Sequence, residues 1–182
     1  MKTMKDTFEE NYEAVPRPGK NKRGFKIRYQ YVGLWYRWNI SQKEMRSCKL
    51  FLAGTCVLSI LFFLMASLPY SYLNHSRFVE LPGTLSIAAL LFEVIGVVQF
   101  CAAGEKVTNM SFQGIHIKLN LAPAVHAVLL LGTGAACISE MLRMPVSIRE
   151  NGIAACYFLS GAASFLLFLR YHGLPYGKEK NV

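Results

Sequence analysis

Four long apolar stretches dominate the pattern of hydrophobic and polar positions. They are LFLAGTCVLSILFFLMASLPY (50–70), LPGTLSIAALLFEVIGVVQFCAA (81–103), LAPAVHAVLLLGTGAACISEML (121–142) and the part of IRENGIAACYFLSGAASFLLFLR that begins near Gly152. Each supplies the roughly 20 mainly apolar residues that a helix needs to cross a bilayer core. The pattern predicts an all-α fold: an integral membrane four-helix bundle over residues 41–172, with helices at about 41–70, 81–104, 119–143 and 149–171. Ser41 opens S-Q-K-E, whose hydroxyl and carboxylate can cap the first helix reciprocally, so that helix is expected to start before the lipid. Pro69 and Pro82 bracket the first connection and Pro145 falls in the third, as residues that cannot continue a helical ladder. Pro123 fits either the first turn of the third helix or the interior of one that begins earlier, near Thr108 or Ser111.

Ahead of Ser41, FKIRYQYVGLWYRWN places six aromatic residues among fifteen, with cations interleaved. Trp and Tyr favour the membrane interface, so residues 24–40 are expected to form a basic, aromatic-rich N-terminal arm, with Lys26, Arg28, Trp35, Arg37 and Trp38 on lipid headgroups. Its first half alternates apolar and polar, and so does IHIKLNL (115–121); two short strand-like pieces that pair, or an extended arm, both satisfy that period. Residues 1–23 are polar and contain Pro16, Pro18 and Gly19, a composition expected to be disordered, and residues 173–182 are expected to form a cytoplasmic tail.

Charge strengthens the membrane reading. The apolar fraction is 53%, high for a one-domain length of 182 residues, yet 12 Lys or Arg and only 5 Asp or Glu lie in the first 49 residues. A basic arm beside a lipid-soluble body points to anionic lipid; basic–aromatic interleaving also serves RNA binders, but membrane proximity accounts for both residue types, so no nucleic-acid partner is expected. Flanks on the side of the termini hold Arg37, Lys43, Arg46, Lys49, Lys106, Lys118, Arg170, Lys178 and Lys180, against Arg77, Arg143 and Arg149 opposite. The excess predicts a multi-pass plasma-membrane protein with both termini cytoplasmic. The opening residues contain no apolar segment of the kind a signal peptide has, which agrees with a cytosolic start.

Within this framework Glu93 stands out. It lies about ten residues from either end of its apolar run, roughly 15 Å deep, where an exposed charge costs about 2.5–3.5 kcal/mol. It shares a helical face with Ser86, Ala89 and Gly96, so it is expected to face protein. His126 and Thr133 on the third helix and Gln99 nearer the cytoplasm are its candidate companions in a buried polar cluster. Three roles follow: a hydrogen-bonded cluster that sets helix register, a proton or substrate path, or a carboxylate paired by another chain. Gly152, Cys156, Ser160 and Ser164 recur at spacing four, with Gly132 and Ala136 to match on the third helix, and are expected to form close helix contacts.

The five cysteines form no C-x-x-C pair and read as small packing residues, with a Cys137–Cys156 disulfide as the alternative. The sequence contains no phosphate loop, no H-E-x-x-H and no G-x-S-x-G, so neither enzyme chemistry nor a metal or cofactor is expected. The expected function is that of a non-enzymatic accessory or assembly subunit of a larger membrane complex such as a transporter, partnered by another membrane protein or by itself. A homo-oligomeric proton-coupled transporter or channel titrating at Glu93, and a lipid-binding scaffold, are the alternatives.

Overall fold

The computed structural model describes residues 11–18, 25–143 and 147–179, the side chains of Phe25 and Lys26 excepted. Four long helices, α1 (Gln42–Ser67), α3 (Arg77–Ala102), α4 (Asn109–Met141) and α5 (Ile148–His172), pack in a ring in which α1 touches α3 and α5, and α4 touches α3 and α5. A four-residue helix, α2 (Tyr72–His75), lies between α1 and α3. All four long helices have the length and apolar composition needed to cross a membrane. Large apolar side chains such as Leu61, Leu85, Leu91 and Val128 stay more than half exposed on the outside, whereas Ser59, Ser86, Glu93, His126, Thr133, Ser160 and Ser164 are buried. That inverted polarity suits an apolar solvent and is compatible with a membrane bundle.

Each helix buries one stripe. On α1 it is Met45, Cys48, Leu52, Cys56, Ser59, Phe63 and Ala66, every step three or four residues long. The Ser41–Glu44 capping box opens this helix, and Lys49 donates to the carbonyls of Cys101 (3.0 Å) and Ala103 (2.6 Å), so a cation closes the negative end of α3. At the opposite end of the bundle Asn74 donates to the carbonyls of Ala66 (3.0 Å) and Pro69 (3.1 Å) and accepts from the Tyr157 hydroxyl, tying the end of α1 to α5.

Four helices return the chain to its starting end, so the segments before α1, between α3 and α4, and after α5 meet there. They form a three-stranded antiparallel sheet with β3 (Trp35–Trp38) between β4 (Lys106–Thr108) and β5 (Tyr176–Glu179). Tyr36 pairs with Val107 on one side and Lys178 on the other. Period-two alternation turns Tyr36 and Trp38 toward the helices: Tyr36 stacks on Phe112 (4.2 Å between centroids), and Trp38 sits edge-on to Phe100 (5.2 Å), which is edge-on to Tyr171. On the solvent side Lys106 and Glu179 pair across the sheet, and that contact holds the Glu179 carboxyl below its ordinary value.

Several expectations are corrected. The Trp38 side chain is only 3% exposed, a roof over the helical core rather than a headgroup anchor; Trp35 is half-buried, and Arg37 remains exposed because pairing lets only alternate residues face out. Phe25–Tyr31 is a strand, β2, but it pairs with β1 (Tyr12–Pro18), so these residues of the polar tail are ordered; residues 1–10 and 19–24 lie outside the described residues. Residues 115–121 are helical. Thr108 caps α4, and Phe112, Ile115, Leu119 and Ala122 form a buried helical stripe that overrides the local alternation, which leaves Pro123 inside a 33-residue helix. Pro82 lies inside α3, which starts at Arg77, and Pro145 falls outside the described residues. The tail contributes β5, and all five cysteines are free.

Adjacent residues of β3 should therefore respond differently. Trp38→Ala is expected to lower stability by about 3–5 kcal/mol, whereas Arg37→Ala should stay within about 0.5 kcal/mol. Equilibrium unfolding in detergent micelles compares them.

Candidate functional site

The centre of the bundle is polar. Glu93 lies on the inner face of α3 with Ser86, Ala89 and Gly96, nine residues before the helix ends. Gly96 is where α4 comes closest: a Cβ there would meet the Leu119 side chain at 2.9 Å and Lys118 Cβ at 3.1 Å. That approach brings His126 of α4 against the carboxylate, its Nδ1 3.0 Å from Glu93 Oε2. From α5, the Ser164 hydroxyl donates to Glu93 Oε1 at 3.2 Å and lies 2.9 Å from the same His126 Nδ1. Ser59 of α1 bonds Ser164 (2.9 Å), and the Ser160 hydroxyl donates to the Ser59 carbonyl (2.8 Å).

One assignment of protons serves every member of this set. His126 Nδ1–H donates to Oε2, Ser164 to Oε1 and Ser59 to Ser164, so these three donors converge on the carboxylate, while Ser160 donates to the Ser59 backbone carbonyl. The acid thus accepts from α4 and α5, while α1 supports one of those donors. In this arrangement His126 Nε2 is an acceptor with nothing to accept from among the described residues, and the Phe63 ring stands edge-on at 6.4 Å from the imidazole. Glu93, His126, Ser59, Ser160 and Ser164 are all fully buried. Burying a carboxylate is unfavourable unless its oxygens are hydrogen-bonded, and His126 and Ser164 meet that requirement, one on each oxygen. The described residues hold no cluster of three or more His, Cys, Asp and Glu able to bind a metal.

Other sequence candidates lie elsewhere. Gln99 accepts from Lys118 Nζ (2.9 Å) on the exposed seam between α3 and α4, away from the buried acid. Thr133 is buried but donates to the Leu129 carbonyl of its own helix, as Ser86 does to Gly83. Gly152 is exposed and Cys156 half-buried, while Ser160 and Ser164 are buried: a spacing of four overshoots the 3.6-residue turn, so the row winds off the inner face. Gly132 is exposed and Ala136 half-buried. The close contacts of α4 with α5 come instead at Gly134, where a Cβ would meet the Phe158 ring at 2.9 Å, and at Gly161, 3.3 Å from the Ala127 carbonyl. Ser59 escaped the sequence reading although its phase with Cys48, Cys56 and Phe63 marks the inner face of α1.

Glu93→Ala leaves both donors without an acceptor and should destabilise by about 3–5 kcal/mol, whereas Glu93→Gln keeps one acceptor oxygen and should cost about 1–3 kcal/mol. Thermal unfolding in one detergent would rank them, and an alanine variant as stable as the parent would contradict the pairing. Comparison with protein-family models, with curated proteins and with solved structures finds no match to this chain.

Proposed function

We propose that this chain is a non-enzymatic, four-span plasma-membrane protein with both termini cytoplasmic, acting as an accessory or assembly subunit of a larger membrane complex such as a transporter. The apolar exterior of the helices and the Lys/Arg excess at the sheet-bearing end support the topology. The hairpin β1–β2 carries the functional reading. Its cross-strand pairs place Ala14 and Pro16 opposite Tyr29 and Ile27 on one face, with Glu13 opposite Gln30 and Val15 opposite Arg28 on the other. Ile27 is 55% exposed, and Ala14 and Pro16 are exposed beside it.

Hydrogen bonds at the base of the hairpin fasten it to the bundle: the Tyr31 hydroxyl donates to the Leu34 carbonyl (2.8 Å) and accepts from the Asn109 N–H (3.0 Å). A two-stranded ribbon buries too little to be stable alone in water, so an apolar face held out from a rigid base suits the surface of a partner protein. The internal pairing of Glu93 leaves the acid no need of a residue from another chain, which favours the hairpin over the buried acid as the surface for assembly.

A second reading, a homo-oligomeric proton-coupled transporter or channel, rests on the open His126 Nε2 beside the buried serines. Under it, Glu93→Gln abolishes proton-coupled flux in liposomes while assembly persists.

Gentle extraction followed by sizing separates the accessory reading from its rivals. The parent chain is expected to migrate within a heterologous complex, and Ile27→Asp should release it with its unfolding temperature unchanged. A parent chain that leaves its native membrane alone, monomeric and stable would overturn the accessory role.

A further inference from the structure

Between α3 and α4 runs an open trough of about 620 Å³, walled by Leu85, Ala88 and Phe92 on one side and Gly114, Leu121 and Val125 on the other, with a lining that is almost wholly apolar. At its sheet-bearing end it meets a second, more polar hollow bordered by Gln99, Ser111 and Met110, and Gly114 and Lys118 belong to both. Neither hollow has a carboxylate in its wall. Lys118 Nζ, held by Gln99 Oε1 at 2.9 Å, is thus a cation at the junction of an apolar channel and a polar mouth.

The geometry points to a binding site for one anionic glycerophospholipid, an acyl chain lying in the α3–α4 trough and its phosphate on Lys118. This rests on the bilayer placement of the helices but not on the accessory role. The depth agrees: Lys118 Cβ lies beside Gly96, within the last two turns of α3, and its side chain runs on toward the sheet-bearing end to reach Gln99, so the ammonium approaches the headgroup layer while its stem lies along the trough. Charge agrees as well, because an ammonium with no acid beside it among the described residues that line the two hollows matches a phosphodiester.

Gly114 keeps the passage open. A Cβ there would meet only Lys118 Nζ, at 3.9 Å, so a larger side chain fits sterically and fills the passage instead of breaking the helix contact. Ala88, exposed on the facing wall, offers the same change from α3.

The full chain, purified with equimolar phosphatidylglycerol and phosphatidylcholine, would be read by mass spectrometry of the intact protein–lipid complex. Phosphatidylglycerol should be retained at least tenfold over phosphatidylcholine, Lys118→Gln should erase that preference, and Gly114→Leu should reduce retention of both lipids. Ala88→Leu should reproduce the Gly114→Leu result, which keeps the test decisive if either variant folds poorly. Equal retention of the two lipids by the parent chain, or an unchanged preference in Lys118→Gln, overturns the site. Displacement of the lipid by millimolar inorganic phosphate alone would assign the lysine to free phosphate and overturn the acyl-chain half of the proposal.

Discussion

The demand of one carboxylate for hydrogen-bond donors in a dry interior organises this molecule. In lipid-soluble helices the inner and outer faces are similarly apolar, so burial of hydrocarbon alone sets neither the rotation of a helix nor its register against a neighbour. Directional bonds do. Glu93 draws His126 and Ser164 to fixed positions on α4 and α5, and Ser164 in turn draws Ser59 of α1, so a single side chain constrains all four long helices. Close packing at Gly96, Gly134 and Gly161 brings the backbones near enough for these short side chains to meet.

The two ends of the bundle are closed by different means. At one, strands from three separate parts of the chain converge into a small sheet, and Tyr36 and Trp38 seal the helical core with stacked and edge-on aromatic contacts. At the other, Asn74 occupies the free carbonyls at the end of α1, and Ser76 donates to Glu140, which joins the start of α3 to the end of α4. The α3–α4 seam carries an open apolar trough on its outer side, where small residues such as Ala88 and Gly114 leave space that neither helix fills. The two sites proposed for other molecules lie on the outside of the bundle, along that seam and on the hairpin, while the polar centre is occupied by its own side chains.

The four long helices were legible in the sequence, since runs of about 20 apolar residues and the Ser41 capping box are local signals that tertiary context reinforces, whereas the short helix α2 and, the alternation of β2 apart, the strands were not. The inward face of α3 was legible too, because Ser86, Ala89, Glu93 and Gly96 follow the helical period and are all buried. The alternation of 115–121 misled because a stretch that alternates also places Ile115 and Leu119 four apart, and the contact of those two with the bundle decided for helix. The aromatic arm misled for a related reason. Tryptophan beside a membrane suits an interface, but strands β4 and β5 turned Trp38 inward, and they come from positions some 70 and 140 residues away in the chain.

By itself, then, the sequence determined the four apolar helices, the uneven placement of cations and the presence of an acid that had to be hidden, because these depend on composition and on periods of a few residues. Which groups hide that acid was decided only in three dimensions. Gln99 and His126 were equal candidates along the chain, and the separation came from helix rotation: His126 faces the centre, while Gln99 turns to Lys118 on the seam. Hydrogen bonds act over about 3 Å, and only the packed bundle sets distances of that size between residues 33 to 71 positions apart.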